Sequence, residues 1–421
     1  MDVSSHMHAA KGLNRNRLST EFRLLAACCE WPAEASRDSR IRTLADGEID
    51  WPSFAKLVRR HRVEGLVHRA LSSAGAILPE AEKTWLRDAA SSIGMDNLLQ
   101  AAESARLHTL LGKAGIVGIF LKGATLSQLV YKMLGVKQAW DIDLLVPRDK
   151  ASAAAAILRG AGYERTLPGP EYSDEAGADW ATLWKETLWT HVKSGLVVEL
   201  HTALVDNPRL LPTVSARPEL QFVRLGSGMD VPTLEKDQLF AYLCVHGATH
   251  AWARLKWLAD VAAFLRMEGP AETERLYRRS LELGVGRSSA QALLLCETLL
   301  SLPLPEALAR ELERDSKLRW LESLAIAAMA GRGATELDST VFGTVVINLS
   351  HFMLGKGWSY KSSELMRKLK NPEDQASLDL PESLHFLYPL VALPRWVWRR
   401  YKLSRGAAVP SSGVQAEAPG Q

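Results

Sequence analysis

Between Ile116 and Val146 the spacing of apolar residues stops being helical, and this change of period limits the fold more than any other feature of the chain. Upstream, from Ser19 to about Thr109, apolar residues recur every three or four positions. Leu24, Leu25 and Cys28 lead one stripe, and Phe54, Leu57 and Val58 form another with His61 on the same face. The run Ile116-Val117-Gly118-Ile119-Phe120-Leu121 is then almost continuously apolar between Gly115 and Gly123, as a buried strand requires. Ala124 to Leu134 returns to a helical pattern that Gly135 ends, and Asp141 to Val146 reads as a second strand before the turn pair Pro147-Arg148. Alanine-rich Ala151 to Gly162 predicts a short helix, and Thr190 to Leu204 predicts two antiparallel strands joined at Ser194-Gly195. Helical periodicity resumes from Thr233 to about Leu302 and again from Pro305 to Ala330. A few strands set between two helical stretches make an α+β chain: a small mixed sheet flanked by N-terminal helices and a C-terminal helical domain.

A chain of 421 residues with 47% hydrophobic content exceeds what a single core usually fills, so several units are expected: a helical region 1–109, an αβ core 110–215, a helical domain 216–405 and a disordered tail 406–421. Leu167 to Asp179, rich in Pro, Gly, Asp and Glu, is expected to form a lid or surface excursion. The net charge of +3 excludes a protein built to coat nucleic acid, and no basic, aromatic groove motif points to a polymerase. Cys28, Cys29, Cys244 and Cys296 show no CxxC spacing, so reduced, buried thiols and a cytoplasmic location are expected. Met1 to Arg17 has no apolar core of the kind a secretory leader needs. Leu384 to Leu393 is far shorter than the roughly 20 residues of a spanning helix. The cluster that follows, Arg395, Trp396, Trp398, Arg399, Arg400, Tyr401 and Lys402, has the composition of a membrane-surface contact, although packing of a last helix is the preferred reading.

The chemistry concentrates at Asp141 and Asp143. Residues two apart in a strand lie on one face about 6.6 Å apart, so these carboxylates project together while Ile142 and Leu144 face the other way. Magnesium, or manganese, takes hard oxygen ligands and completes its shell with water and substrate phosphates. Glu199, between Val198 and Leu200, is the expected third ligand, because a charge in so apolar a strand is costly unless paired or metal-bound. Gly123 falls where the first strand turns into the helix starting at Ala124, leaving backbone N–H groups free for a phosphate. Lys122 beside it is either a phosphate contact or a solvated lysine. His201 shares the face of Glu199, where a structural histidine is the expected reading. Clustered carboxylates repel one another, so neutralising Asp143 is expected to leave folding unchanged or slightly improved.

Phe120-Leu121-Lys122-Gly123-Ala124, the strand Asp141-Ile142-Asp143-Leu144-Leu145-Val146 and the segment Val197-Val198-Glu199-Leu200-His201 together resemble the DNA polymerase β type nucleotidyltransferase superfamily. With the later His246-Gly247-Ala248-Thr249-His250 and its continuation to Val261, they look like an uncharacterised bacterial nucleotidyltransferase family within it, over about residues 20 to 265. The resemblance implies transfer of a nucleoside monophosphate from a nucleoside triphosphate, ATP among them, to a small-molecule, peptide or protein acceptor. It implies Asp141, Asp143 and Glu199 as metal ligands and catalytic residues, with Lys122, Gly123, Ala124 and Lys137 near the phosphates. The chain departs from the pattern at Trp140, where relatives carry a small residue, at Lys137, where they carry arginine, and at Ala124, where the superfamily has serine. Two alternatives on the same fold are a non-catalytic nucleotide-binding or scaffold protein and a phosphotransferase.

Helical spacing of about 100° per residue puts His246, His250, Arg254, Trp257 and Asp260 on one face of a single expected helix. That helix either closes over the nucleotide, with His246, His250 and Arg254 as contacts, or forms a polar seam. Two histidines without a third ligand do not make a zinc site.

Overall fold

The computed structural model describes residues 18–169, 185–226, 228–331 and 341–369. The expected lid beyond residue 169, the aromatic-basic cluster at 395–402 and the tail lie outside them. The chain divides into two compact units, Met1–Lys356 and Gly357–Gln421. The first opens with helices α1 (Thr20–Cys28), α2 (Ala35–Ala45), α3 (Trp51–His61), α4 (Glu64–Ala74) and the long α5 (Glu80–Lys113). Their ends are set by local chemistry. Ser19 Oγ accepts from the Phe22 N–H at 3.2 Å and Asp50 Oδ1 from the Ser53 N–H at 3.0 Å, each satisfying a donor the helix cannot pair.

The core follows in the order β1 (Ile119–Phe120), α6 (Ala124–Tyr131), β2 (Asp141–Leu145), α7 (Ala151–Gly160), β3 (Tyr163–Leu167), β4 (Glu186–His191) and β5 (Val197–His201). These strands form one mixed sheet in the order β1-β2-β5-β4-β3, in which only the β2-β5 pair is parallel. The apolar face carries Ile142, Leu144, Trp189, Val198 and Leu200, packed with Leu107 and Leu111 of α5 and Ala154 and Leu158 of α7. Strand alternation therefore turns Asp143, Glu199 and His201 to the opposite face. The first strand is shorter than the apolar run Ile116–Leu121 implied, because the Ile116 N–H still caps α5 through Leu111 O at 3.0 Å.

A short helix α8 (Pro212–Ala216) leads to a hairpin of β6 (Leu220–Arg224) and β7 (Asp230–Leu234), so the segment from 216 opens with strands where helices were expected. Pro232 and the exposed Phe222, directly paired across the hairpin, hide the strand pattern in the sequence. Helices α9 (Lys236–Thr249), α10 (Leu255–Glu268), α11 (Pro270–Glu282), α12 (Gly286–Leu300), α13 (Glu306–Glu313), α14 (Ser316–Ala330) and α15 (Val341–Leu354) complete the first unit. The described part of the second unit is α16 (Trp358–Leu369). No helix among the described residues is long and apolar enough to cross a membrane. All four cysteines are free and buried.

Candidate functional site

The parallel register of β2 and β5 sets Asp143 directly opposite Glu199, Asp141 opposite Val197 and Leu145 opposite His201. In the antiparallel pairing of β5 with β4, Glu186 lies opposite His201. Four carboxylates and one imidazole thus share the polar face of three adjacent strands. Asp143, Glu199 and His201 are buried, and each offers a ligand atom within 4.8 Å of the other two. Asp141 belongs to the same face, one step further along β2, outside that group.

The loop that delivers Asp141 is clamped from behind by α5. Asn97 donates to the carbonyls of Leu134 and Lys137 and accepts from the Ala139 N–H at 3.2 Å, while Gln100 Nε2 donates to Ala139 O at 2.9 Å. Trp140, at the end of this loop, is 39% exposed, and the Arg62 guanidinium lies over its ring, 4.8 Å from the centroid. Gly123 adopts φ 66°, a left-handed value that would strain other residues, and caps α6. A side chain there would approach Asp141 O at 3.5 Å, so the turn lies against the start of β2. Ala124 opens the helix and is buried.

Lys122 is neither solvated nor turned outward. Its Nζ is 2.7 Å from Asp143 Oδ1, as an ion pair without hydrogen-bond geometry. His201 Nε2 is 3.3 Å from both Asp143 Oδ1 and Glu199 Oε2, and its Nδ1 is 3.2 Å from Glu186 Oε2, which Lys185 also neutralises. Neither imidazole nitrogen forms a hydrogen bond. Burial alone would raise the Asp143 carboxyl, but Lys122 and His201 hold it well below its ordinary value. Burial opposes charge on His201 as well, yet its contacts with Asp143 and Glu199 raise it to about 9. Asp141 has no such partner: burial, then repulsion from Glu199 and Asp143, push it up to about 8, so it holds its proton at neutral pH.

The expected single helix from His246 to Asp260 is two. Helix α9 stops at Thr249, Ala251 and Trp252 take left-handed φ values, and Arg254, in an extended conformation, is the N-cap residue just before α10. The turn forms because the Trp252 indole packs onto Gly247, where an added side chain would meet the ring at 2.3 to 2.5 Å. It nevertheless brings part of the stripe together. The His246 and His250 rings are 4.8 Å apart, and Trp257 contacts them at 5.5 and 4.9 Å between centroids. Desolvation, then the Lys122 charge, pushes His246 well down, so it is neutral, while His250, exposed at the end of α9, is moved in the same direction.

Two residues go elsewhere. Asp260 accepts from the Tyr131 hydroxyl at 2.9 Å and pairs with Lys137, so Lys137 is a buried counter-charge rather than a side chain open to phosphate. An ammonium in so dry a setting is stable only beside its partner. Sequence reasoning passed over Glu186, Lys185 and Lys256. The first two lie in a segment with no motif, and Lys256 was hidden by the expectation of one continuous helix.

The donor set fits a divalent cation: Asp143 Oδ1 and both His201 nitrogens are buried without hydrogen bonds, beside a second carboxylate. A model of a family described as uncharacterised nucleotidyltransferase matches residues 47–301, more than half of the chain. No curated protein matches it.

Proposed function

The chain belongs to this family of uncharacterised nucleotidyltransferases, and we propose that it transfers a nucleoside monophosphate from a nucleoside triphosphate to an acceptor hydroxyl or amine. The observation that supports this reading most is the register Asp143 opposite Glu199, with His201 two residues on, all buried on one sheet face beside the Gly123 turn. Asp143 and Glu199, with Asp141 at the rim, would hold Mg2+ or Mn2+ through their carboxylate oxygens, beside the charged His201 imidazole. When bound, the cation would lower the acceptor's pKa and neutralise charge on the phosphates.

The chain's own groups do the rest. The N–H groups at the start of α6 and the Lys122 ammonium face the phosphates, and Trp257 with His246 and His250 offers an aromatic wall to the base. The acceptor oxygen or nitrogen forms a bond to the α-phosphorus as the bond to the β-phosphate oxygen breaks, so pyrophosphate leaves. Asp143 or Glu199 takes the acceptor's proton. Trp140 does not argue against a working site, because its ring stacks with Arg62 at the rim instead of filling the carboxylate face.

The test is product analysis with each of the four nucleoside triphosphates, Mg2+ or Mn2+, and a panel of alcohol, amine and peptide acceptors. Metal-dependent pyrophosphate release is expected, lost in the Glu199→Gln variant. Release of ADP from ATP would instead make the protein a phosphotransferase. Metal-dependent binding without any product would make it a nucleotide-binding protein.

A further inference from the structure

Lys256 lies in the first turn of α10, one residue before the Trp257 ring. Among the described residues its ammonium has no ion-pair or hydrogen-bond partner. Its surroundings are mostly cationic, with Lys137, Arg62 and Lys122 all acting on it. Lys137 is held one helical turn away, because its partner Asp260 is four residues further along the same face of α10. Arg62 is anchored over Trp140, the residue before Asp141. The carboxylates within reach are poor counter-charges. Among the described residues neither Asp141 nor Glu64 pairs with the Lys256 ammonium, and burial pushes Glu64 up to about 7 with Oε2 unbonded. Clustered cations cost free energy when an anion is absent and recover it when one arrives.

The position of this cluster says which anion. The Gly123 turn also lies against the start of β2, through its approach to Asp141 O. The Gly123 turn thus lies at the Asp141 end of the sheet face, and Lys256 is close enough for its charge to act on Asp141, while Asp143, Glu199 and His201 occupy the stretch beyond. A triphosphate whose α-phosphorus lies at Asp143 and Glu199 can extend its other two phosphates toward Asp141, between the turn and α10.

We propose that Lys256 is the side chain that grips the departing pyrophosphate end of the nucleoside triphosphate, in a cationic subsite shared with Arg62 and Lys122. The assignment of the anion rests on the nucleotidyl-transfer reading. The subsite itself rests on the unpaired ammonium and its cationic neighbours. Desolvation and those neighbours lower Lys256 to about 7, which agrees with a site short of negative charge.

The test compares the parent, Lys256→Met and Lys256→Arg by thermal shift with inorganic pyrophosphate, in chelator and with Mg2+, against sulfate at equal ionic strength. Pyrophosphate should raise the melting temperature of the parent and of K256R. In K256M its apparent affinity should fall at least tenfold, while the anion-free K256M melts no lower than the parent. In turnover assays K256M should raise the KM for nucleoside triphosphate more than it lowers kcat. Parent-like pyrophosphate affinity in K256M overturns the subsite, as does a parent that pyrophosphate does not stabilise or that sulfate stabilises equally. Loss of pyrophosphate binding in K256M from a parent that releases no pyrophosphate from nucleotides upholds the subsite while removing the transferase reading. Turnover with an unchanged KM in K256M does the reverse.

Discussion

Replacing Asp143 by asparagine keeps the size of the side chain but removes the charge that faces Lys122 at 2.7 Å. Both groups are largely shielded from water, Asp143 being 2% exposed, and stripping one partner from such a pair costs about 3 to 5 kcal/mol when nothing replaces it. Here a replacement is at hand. Asp141 lies on the same face with its carboxyl at about 8, so ionising it at pH 7 costs one pKa unit, about 1.4 kcal/mol. Loss of the Asp143 charge makes that ionisation easier still. The expected net loss at pH 7 in chelator is therefore about 1 to 2 kcal/mol, a fall in Tm of roughly 1 to 3 °C for a unit of this size. Mutual repulsion of carboxylates predicted the opposite sign from the sequence, and the buried Lys122 is the reason for the reversal. The assay is paired melting of parent and D143N in chelator, then with Mg2+ and nucleoside triphosphate. The parent should gain stability from the additions and the variant should not. A variant that melts at or above the parent in chelator would refute the claim that Lys122 depends on Asp143.

Burial, then the neighbouring Arg60, lower the His61 imidazole to about 3, while its Nδ1 accepts from the Leu255 N–H at 3.0 Å and its Nε2 contacts Met329 O at 3.1 Å. The unfolded chain binds this proton near pH 6.5, so stability is complete above that pH and declines as pH falls toward 3. The loss should reach about 2 kcal/mol at pH 5, 1.5 units at 1.36 kcal/mol each. Urea unfolding at both pH values measures it, and a slope no steeper than that of His61→Gln counts against the assignment. Gly247→Ala forces a methyl group into the fully buried Trp252 ring and should cost about 1 to 3 kcal/mol, an idea that an unchanged Tm would sink. Trp257→Ala removes the ring against which His246 and His250 lean. A raised KM for nucleotide with little change in kcat is expected, whereas a lower Tm with normal KM marks the cluster as a seam between helices.

What the sequence determined by itself was the part carried by short-range pattern. Alternation in Asp141-Ile142-Asp143-Leu144 and in Val198-Glu199-Leu200-His201 fixes which side chains share a face once those segments are strands, and glycine at 123 fixes where the strand turns into α6. The mixed sheet between helices followed from the change of period at Ile116. Tertiary structure decided how the charges are shared, because pairing depends on distances between segments far apart in the chain. Lys122 went to Asp143, and Lys137 to Asp260, more than a hundred residues away. His201 became the third member of the buried trio only when the parallel register set β5 beside β2. The break between α9 and α10 was invisible for the same reason: it is imposed by the Trp252 ring settling on Gly247, and helical periodicity runs through it undisturbed. Local pattern reports which face a residue is on, and only packing decides which charge it meets there.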